Sequence, residues 1–195
     1  MSGEVRGYMP VRDYAPIGDS HTAALVSTDG SVDWCCWPRF DSPAVFCRLL
    51  DAGRGGYTQL RPAAGFKSAR SYASTSNVLQ TEFTTDAGRA RVTDFMPVVE
   101  RERDRRGEDI ATRRRILRLV EGVAGAVEME ISFRPTFDFA RAETRLDARE
   151  GGAVATDGRE AVILSCPASL RPDSSGALRG RFTLKEGERA WVALD

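Results

Sequence analysis

The sequence predicts an all-β fold, a two-sheet antiparallel β-sandwich of about ten strands with one short helix. Strict alternation is the first reason. In Val127-Glu128-Met129-Glu130-Ile131-Ser132-Phe133-Arg134, apolar and polar residues exchange without a break, as a strand with one buried and one wet face requires. The second reason is turn chemistry: Asp86-Ala87-Gly88 sits between two β-rich runs and offers glycine for positive φ, the signature of a hairpin. The third is the scarcity of helical spacing. Only residues 43–51 show it, with Val45, Phe46, Leu49 and Leu50 on one face, Ser42 as N-cap and Pro43 at an early helical position.

Taken in order, strands are expected at residues 22–27 and 31–37, joined by the turn Thr28-Asp29-Gly30. The helix of residues 43–51 follows, then a strand at 56–61. Residues 77–85 and 89–96 form the hairpin around Asp86-Ala87-Gly88, and Asp94-Phe95-Met96-Pro97 reads as a turn with an aspartate-capped backbone. Residues 100–109, Glu-Arg-Glu-Arg-Asp-Arg-Arg-Gly-Glu-Asp, mix both charges around a glycine and read as a solvated loop. Strands then occupy 114–121, 127–134, 160–166, 180–185 and 189–194. Residues 151–158 and 172–180 read as exposed turns. No Pro/Ser linker divides the chain, so residues 13–195 are expected to form one domain after an N-terminal tail of residues 1–12.

Composition narrows the function. The 195 residues are 42% hydrophobic, with 28 Lys+Arg against 28 Asp+Glu. A chain of this size buries roughly 70% of the surface its unfolded form exposes, so it has a core and disorder is excluded. Zero formal charge argues against nucleic acid, whose partners carry a basic excess. Basic charge is nearly all arginine, Lys67 and Lys185 being the only lysines. Residues 14–28 are uncharged apart from Asp19 but contain Pro16, Gly18, Ser20, His21 and Thr22, which rules out a membrane-spanning segment. The first six residues lack the apolar stretch of a secretory signal, so a cytoplasmic location is expected. Cys35, Cys36, Cys47 and Cys166 read as reduced, packed thiols. With no Cys-x-x-Cys and one histidine, neither a metal site nor a cofactor is expected.

The densest chemistry lies in residues 30–43, which hold Trp34, Trp37, Arg39, Phe40, Asp41 and two prolines. Pro38 and Pro43 bracket Arg39-Phe40-Asp41-Ser42 and stiffen the loop. A guanidinium fork, a carboxylate and an aromatic face suit the vicinal hydroxyls of a sugar. A structural corner, with Arg39 and Asp41 on backbone groups and Phe40 in the core, explains the same residues. Trp34 and Trp37, three apart, point to opposite faces of a strand, one of them into the core. His21 reads as a satisfied strand-end histidine. Asp33, Asp41, Glu82, Asp94 and Asp138 are the carboxylates available for an acid pair, yet no spacing joins any two of them. Ser20 and Ser42 lack a nucleophile elbow.

The run Tyr14-Ala-Pro-Ile-Gly-Asp-Ser-His-Thr-Ala-Ala-Leu-Val-Ser-Thr-Asp-Gly-Ser-Val-Asp-Trp-Cys-Cys-Trp-Pro-Arg-Phe-Asp-Ser-Pro-Ala-Val-Phe carries a resemblance. So do Gly55-Gly56-Tyr57, Thr93-Asp94-Phe95-Met96-Pro97, Arg118-Leu-Val-Glu-Gly122, Arg134-Pro-Thr-Phe-Asp-Phe-Ala-Arg141 and Arg181-Phe-Thr-Leu-Lys-Glu-Gly-Glu-Arg189. Together they resemble the N-terminal, trehalase-like domain of bacterial glycoside hydrolase family 15 proteins, which include glucoamylases, glucodextranases and trehalases.

The resemblance implies a β-supersandwich preceding an (α/α)6 barrel, and the barrel supplies the two glutamates of an inverting hydrolase. Inversion needs those carboxyls roughly 6.5–9.5 Å apart to admit a water. This chain reaches Asp195 without a helical half, so it is expected to lack the catalytic pair and to be inactive alone. Its expected role is to pack on the barrel and help shape the site for an α-glucoside or trehalose. Trp37, Arg39, Phe40 and Asp41 are the expected substrate-proximal residues, with Asp138 from the second Phe-Asp motif. A stand-alone carbohydrate-binding or protein-interaction module is the competing expectation, and self-association through a bare barrel-docking face is a further one.

Overall fold

A computed structural model describes residues 8–98 and 114–195. Among them the regular structure is β throughout, apart from a single 3-10 turn at Val11–Asp13. The strands, in chain order, are β1 (Tyr14–Gly18), β2 (Ala23–Ser27), β3 (Ser31–Cys36), β4 (Ala44–Phe46), β5 (Tyr57–Pro62), β6 (Lys67–Tyr72), β7 (Leu79–Thr85) and β8 (Gly88–Phe95). The second half adds β9 (Ile116–Arg134), β10 (Arg145–Arg149), β11 (Gly152–Thr156), β12 (Ala161–Ser165), β13 (Arg171–Pro172), β14 (Leu178–Lys185) and β15 (Arg189–Leu194).

Strand β9 organises the molecule. Its second half pairs with β5 on one side and β14 on the other, and beyond β5 the first sheet continues through β3, β2 and β1. Its first half pairs with β8 and β15, and the second sheet runs outward through β7 to β6 and through β12 and β11 to β10. Every pairing is antiparallel. The strands expected at 114–121 and 127–134 are therefore one continuous element of 19 residues. The chain passes from one sheet to the other around Gly122-Val-Ala-Gly125. There Arg89 and Ala90 of β8 oppose Ala124 and Gly122, leaving Val123 as an extra residue, the two-against-one count of a bulge. Gly125 has φ +63°, and a Cβ on Gly122 would run into the Lys185 carbonyl oxygen, so both glycines are required at this crossing.

The sheets turn their apolar faces to one core. Val26, Val32, Leu60, Met129 and Ile131 come from the first, and Phe83, Val92, Val120, Val192 and Leu194 from the second. A charge lies among them. Arg118 is fully buried, with Nε 2.6 Å from Asp94 Oδ1 and Nη2 donating to the Gly30 carbonyl at 2.8 Å, so it ties β9 to the turn between β2 and β3. Asp94 is thus an inward-facing residue of β8, and the turn expected at residues 94–97 begins only after Phe95.

The helix expected at residues 43–51 is absent. Ala44 and Phe46 pair with Cys36 and Cys35 as β4, and the chain then turns, with the Leu50 amide donating to the Cys47 carbonyl. The physical reason is burial on both sides. Ala44, Val45, Phe46 and Cys47 are all buried, and a short apolar run covered on both faces fits a strand, whereas periodicity alone cannot tell it from a helix. Residues 151–158 are likewise not all turn: Gly152–Thr156 is β11, whose Ala153 and Ala155 enter the core. Residues 178–180 belong to β14, and only the stretch around Asp173–Gly176 turns, its Asp173 Oδ1 accepting from the amides of Ser175 and Ala177. The charge run of residues 100–109 lies outside the described residues.

Candidate functional site

The loop after β3 is built by its own hydrogen bonds. The Trp37 amide reaches the Pro43 carbonyl at 3.4 Å, and the Trp37-Pro38 peptide is cis. The Arg39 amide donates to Ser42 Oγ at 3.1 Å and the Ser42 amide back to the Arg39 carbonyl at 3.1 Å. The Phe40 amide donates to the His21 carbonyl at 2.9 Å, which fixes the loop to the β1–β2 connection. That connection is held by Asp19, whose Oδ1 accepts from the amides of His21 and Thr22 at 2.9 Å each. The His21 ring stands 3.4 Å from the Asp19 carbonyl and is satisfied at a strand end.

So held, the loop displays its tip to solvent. Phe40 is 63% exposed and does not plug the core. Arg39 Nε donates to Asp41 Oδ1 at 3.0 Å, and both side chains are exposed. The Arg39 hydrogen bond and charge hold the Asp41 carboxyl below the ordinary carboxylate range. Trp37, by contrast, is buried in the core, and Trp34 faces the other way.

Asp138 belongs to a second loop that seats on β4. Phe137 and Ala142 close it as a bridge, and the Phe139 amide points to the Ala44 carbonyl at 3.4 Å. Asp138, Phe139 and Ala140 have φ of +49°, +55° and +62°, three consecutive side-chain-bearing residues in the left-handed region. Each costs of order 1 kcal/mol, so the surrounding contacts must impose the geometry. Arg141 Nη2 donates to Asp138 Oδ1 at 2.7 Å, and the Phe139 ring lies 6.4 Å from that of Trp34. Phe139 and Arg141 escaped the sequence reading, although both stand in the quoted Arg134–Arg141 motif.

The five expected residues do not line one cleft. Trp37 borders a cavity of about 270 Å³ with Pro38, Phe137, Glu160 and Asp195. Asp138 borders a neighbouring depression of about 550 Å³ with Pro43, Arg159 and, again, Glu160. Phe40 turns away to a groove of about 290 Å³ between Pro16, Ile17, Tyr72 and Asn77.

Every carboxylate considered for an acid pair already faces its own guanidinium. Asp33 meets Arg48 at 2.7 Å, Asp41 meets Arg39, Glu82 meets Arg91 at 3.1 Å, Asp94 meets Arg118, and Asp138 meets Arg141. A general acid must stay protonated near neutrality, and Asp41, where a shift is resolved, moves the other way. Among the described residues no group of His, Cys, Asp and Glu side chains is placed to hold a metal ion. The four cysteines are free and buried, and burial pushes the thiols of Cys35, Cys36 and Cys166 up.

Residues 6–171 match the family model described as trehalase-like, N-terminal. The chain belongs to the trehalase-like N-terminal family. The match spans both the Pro38–Ser42 and the Phe137–Ala142 loops. The trehalase-like domain is similar to trehalases from Thermoplasma volcanium (30% identical over 191 residues), Mycolicibacterium smegmatis (32% over 208) and Mycobacterium tuberculosis (33% over 202). Each alignment covers 96% of this chain but only 29–30% of the relative, so the chain spans less than a third of the proteins it matches.

Proposed function

We propose that this trehalase-like domain, residues 13–195 behind a tail of residues 1–12, is the non-catalytic N-terminal part of a glycoside hydrolase of the family 15 type. The enzyme would hydrolyse α-glucosidic bonds, in trehalose or an α-glucan, with catalytic glutamates in an (α/α)6 barrel. This domain packs on that barrel and helps to shape its substrate site. The observation that carries the reading is that each of the five candidate carboxylates is paired with an arginine, so none of the five stands ready as acid or base. The relatives' greater length supports it by supplying polypeptide for the chemistry.

In this reading the exposed Arg39-Phe40-Asp41 tip reaches across the mouth of the barrel, Phe40 covering a sugar face while Arg39 and Asp41 divide donor and acceptor roles. Trp37 and Asp138 support it from behind. Free, buried thiols suit a reducing compartment, the cytoplasm, and among the described residues no helix is long and apolar enough to cross a membrane.

The test is glucose release. The purified 195-residue chain is expected to release none from trehalose, maltose or α-glucan, and a polypeptide continuing into the barrel is expected to release it. Release by the short chain alone overturns the proposal. The high exposure of Phe40 favours a second reading, a carbohydrate-binding module acting without a barrel. Saturable quenching of tryptophan fluorescence by maltose or trehalose, lost in Phe40→Ala, would select it.

A further inference from the structure

The second sheet is apolar on part of its outer face as well as on its inner one. Along the first half of β9, Ile116, Arg118 and Val120 point into the core, so Leu117 and Leu119 point away from it. Residues in register share a face. Leu119 stands between Thr93 of β8 and Trp191 of β15, and Leu117 between Phe95 and Ala193. The Phe95 and Trp191 rings meet edge to face, 6.3 Å apart. One strand further, Ile163 of β12 continues the stripe, and it and Trp191 are about half exposed. A fully buried arginine thus lies on one side of the sheet while leucine, phenylalanine and tryptophan face out on the other.

The strands themselves record the same fact. Ala190-Trp-Val-Ala-Leu194 and Ala161-Val-Ile-Leu164 are unbroken apolar runs, and Ile116-Leu-Arg-Leu-Val120 is broken only by the inward Arg118. Such runs belong to strands covered on both faces, whereas a sheet with one wet face alternates. Contiguous apolar surface of this kind on a soluble protein marks an interaction site.

The occupant follows from proportion. The larger part of each trehalase relative lies outside the region this chain matches, a body bigger than the domain itself. The stripe also runs to the strand ends where Arg114, Ala161 and Asp195 rim the Trp37 cavity, so whatever covers it borders the candidate site. We propose that the outer face of β8, β9, β15 and β12, centred on Trp191, Leu119, Leu117 and Phe95, docks the remainder of a trehalase-type polypeptide. This inference rests on the reading of the chain as one part of a larger hydrolase.

Hydroxyl-radical footprinting tests it, because it reads side-chain exposure directly. The isolated chain is compared with a chimera in which it replaces the matching region of the Mycolicibacterium smegmatis trehalase. Oxidation of Trp191 and Phe95 is expected to fall severalfold in the chimera, while Leu50, exposed in the turn after β4, keeps its reactivity. Trp191→Arg is expected to lower the melting temperature of the chimera and to leave that of the isolated chain unchanged. Equal oxidation in both proteins, or an equal melting shift in both, overturns the proposal. Sedimentation of the isolated chain gives an answer without a fusion: a monomer with reactive Trp191 is expected, and a dimer abolished by Trp191→Arg overturns the proposal in favour of a second copy. Protection without glucose release would keep the face and remove the hydrolase reading, and release without protection would do the reverse.

Discussion

The outer faces of the two sheets share one strand and follow opposite rules. On the first sheet, β9 presents Glu128, Glu130, Ser132 and Arg134, and its neighbours answer with charge. Arg181 meets Glu130 at 2.8 Å and Glu128 at 3.3 Å, and Arg179 meets Glu130 at 3.2 Å. Part of this face is closed by the chain itself. Arg48 from the turn after β4 bonds Asp33, lies 3.8 Å over the Tyr57 ring, and the Leu49 amide adds a bond to the Asp33 carbonyl. On the second sheet the outward residues of β9 are Leu117 and Leu119, flanked in register by Phe95 and Thr93 of β8 and by Ala193 and Trp191 of β15. The acids of the first face are paired within the domain. On the second, Trp191 and Ile163 stay about half exposed.

The sharpest way to break this comparison is to remove the charge that lies on the wrong side. Arg118→Met leaves Asp94 buried without its partner and strips a donor from the Gly30 carbonyl. A loss of about 3–5 kcal/mol in urea unfolding is expected, enough to unfold a marginal domain. Arg118→Met combined with Asp94→Leu should recover most of it, because a well-packed apolar pair replaces a buried ion pair at little cost. If the single and double variants are equally unstable, the pair is not what couples β9 to the β2–β3 turn.

On the other face the corresponding test is Arg48→Ala. Asp33 would keep Ser31 and Tyr14 as hydrogen-bond partners, at 2.5 and 2.7 Å, so the loss is expected to be smaller, about 2–3 kcal/mol by the same unfolding measurement. A loss matching that of Arg118→Met would mean that the first face depends on its charge as heavily as the second sheet does.

Why one half of β9 was legible and the other not follows from these environments. Val127–Arg134 alternates because its outer face is polar, with Glu130 and Ser132 buried among polar neighbours, and that period shows in the sequence alone. Residues 116–120 are apolar on both sides, so their strand was visible but its joining to 127–134 through the Gly122–Gly125 bulge was not. Burial on both sides also disguised β4 as a helix. Strand β6, Lys-Ser-Ala-Arg-Ser-Tyr, is exposed nearly throughout and carries no hydrophobic period to read. At the candidate site, the prolines and the Arg-Phe-Asp tip could be read locally. Their anchor on the His21 carbonyl, and the seat of Asp138 on Ala44, join residues far apart in the chain that no local pattern links.

A milder change sharpens the same contrast at the surface. Arg181→Ala removes the exposed partner of Glu130, but Arg179 remains and solvent screens the rest, so only a slight loss is expected in the same unfolding measurement, shrinking as salt is raised. Leu119→Lys on the opposite face of the isolated domain should cost little more than this, since the side chain is only partly buried and a lysine there can carry its charge out to solvent. A large loss from Leu119→Lys would show the second face to be internal packing of the domain and not an open surface.

The smallest effect expected is at Asp173, where pH supplies the test. Burial pushes this carboxyl up, but hydrogen bonds from the Ser175 hydroxyl and from the amides of Ser175 and Ala177, with the charge of Arg179, outweigh it and hold the group below its ordinary value. A carboxyl whose folded value is depressed stabilises the protein at every pH above its unfolded value near 4, and that contribution fades as pH falls through the folded value. Asp173→Asn should therefore lower stability at pH 7, by about 0.5 kcal/mol after solvent screening, and converge on the parent once the pH has fallen below the folded value. Because Arg179 also serves Glu130, the double change of Asp173→Asn with Glu130→Gln should cost more than the sum of its parts if Arg179 can turn wholly to whichever acid remains, since each single change is then compensated and the double is not. Strict additivity would mean that the two acids hold Arg179 independently, and that the polar face is a set of separate pairs with no shared network.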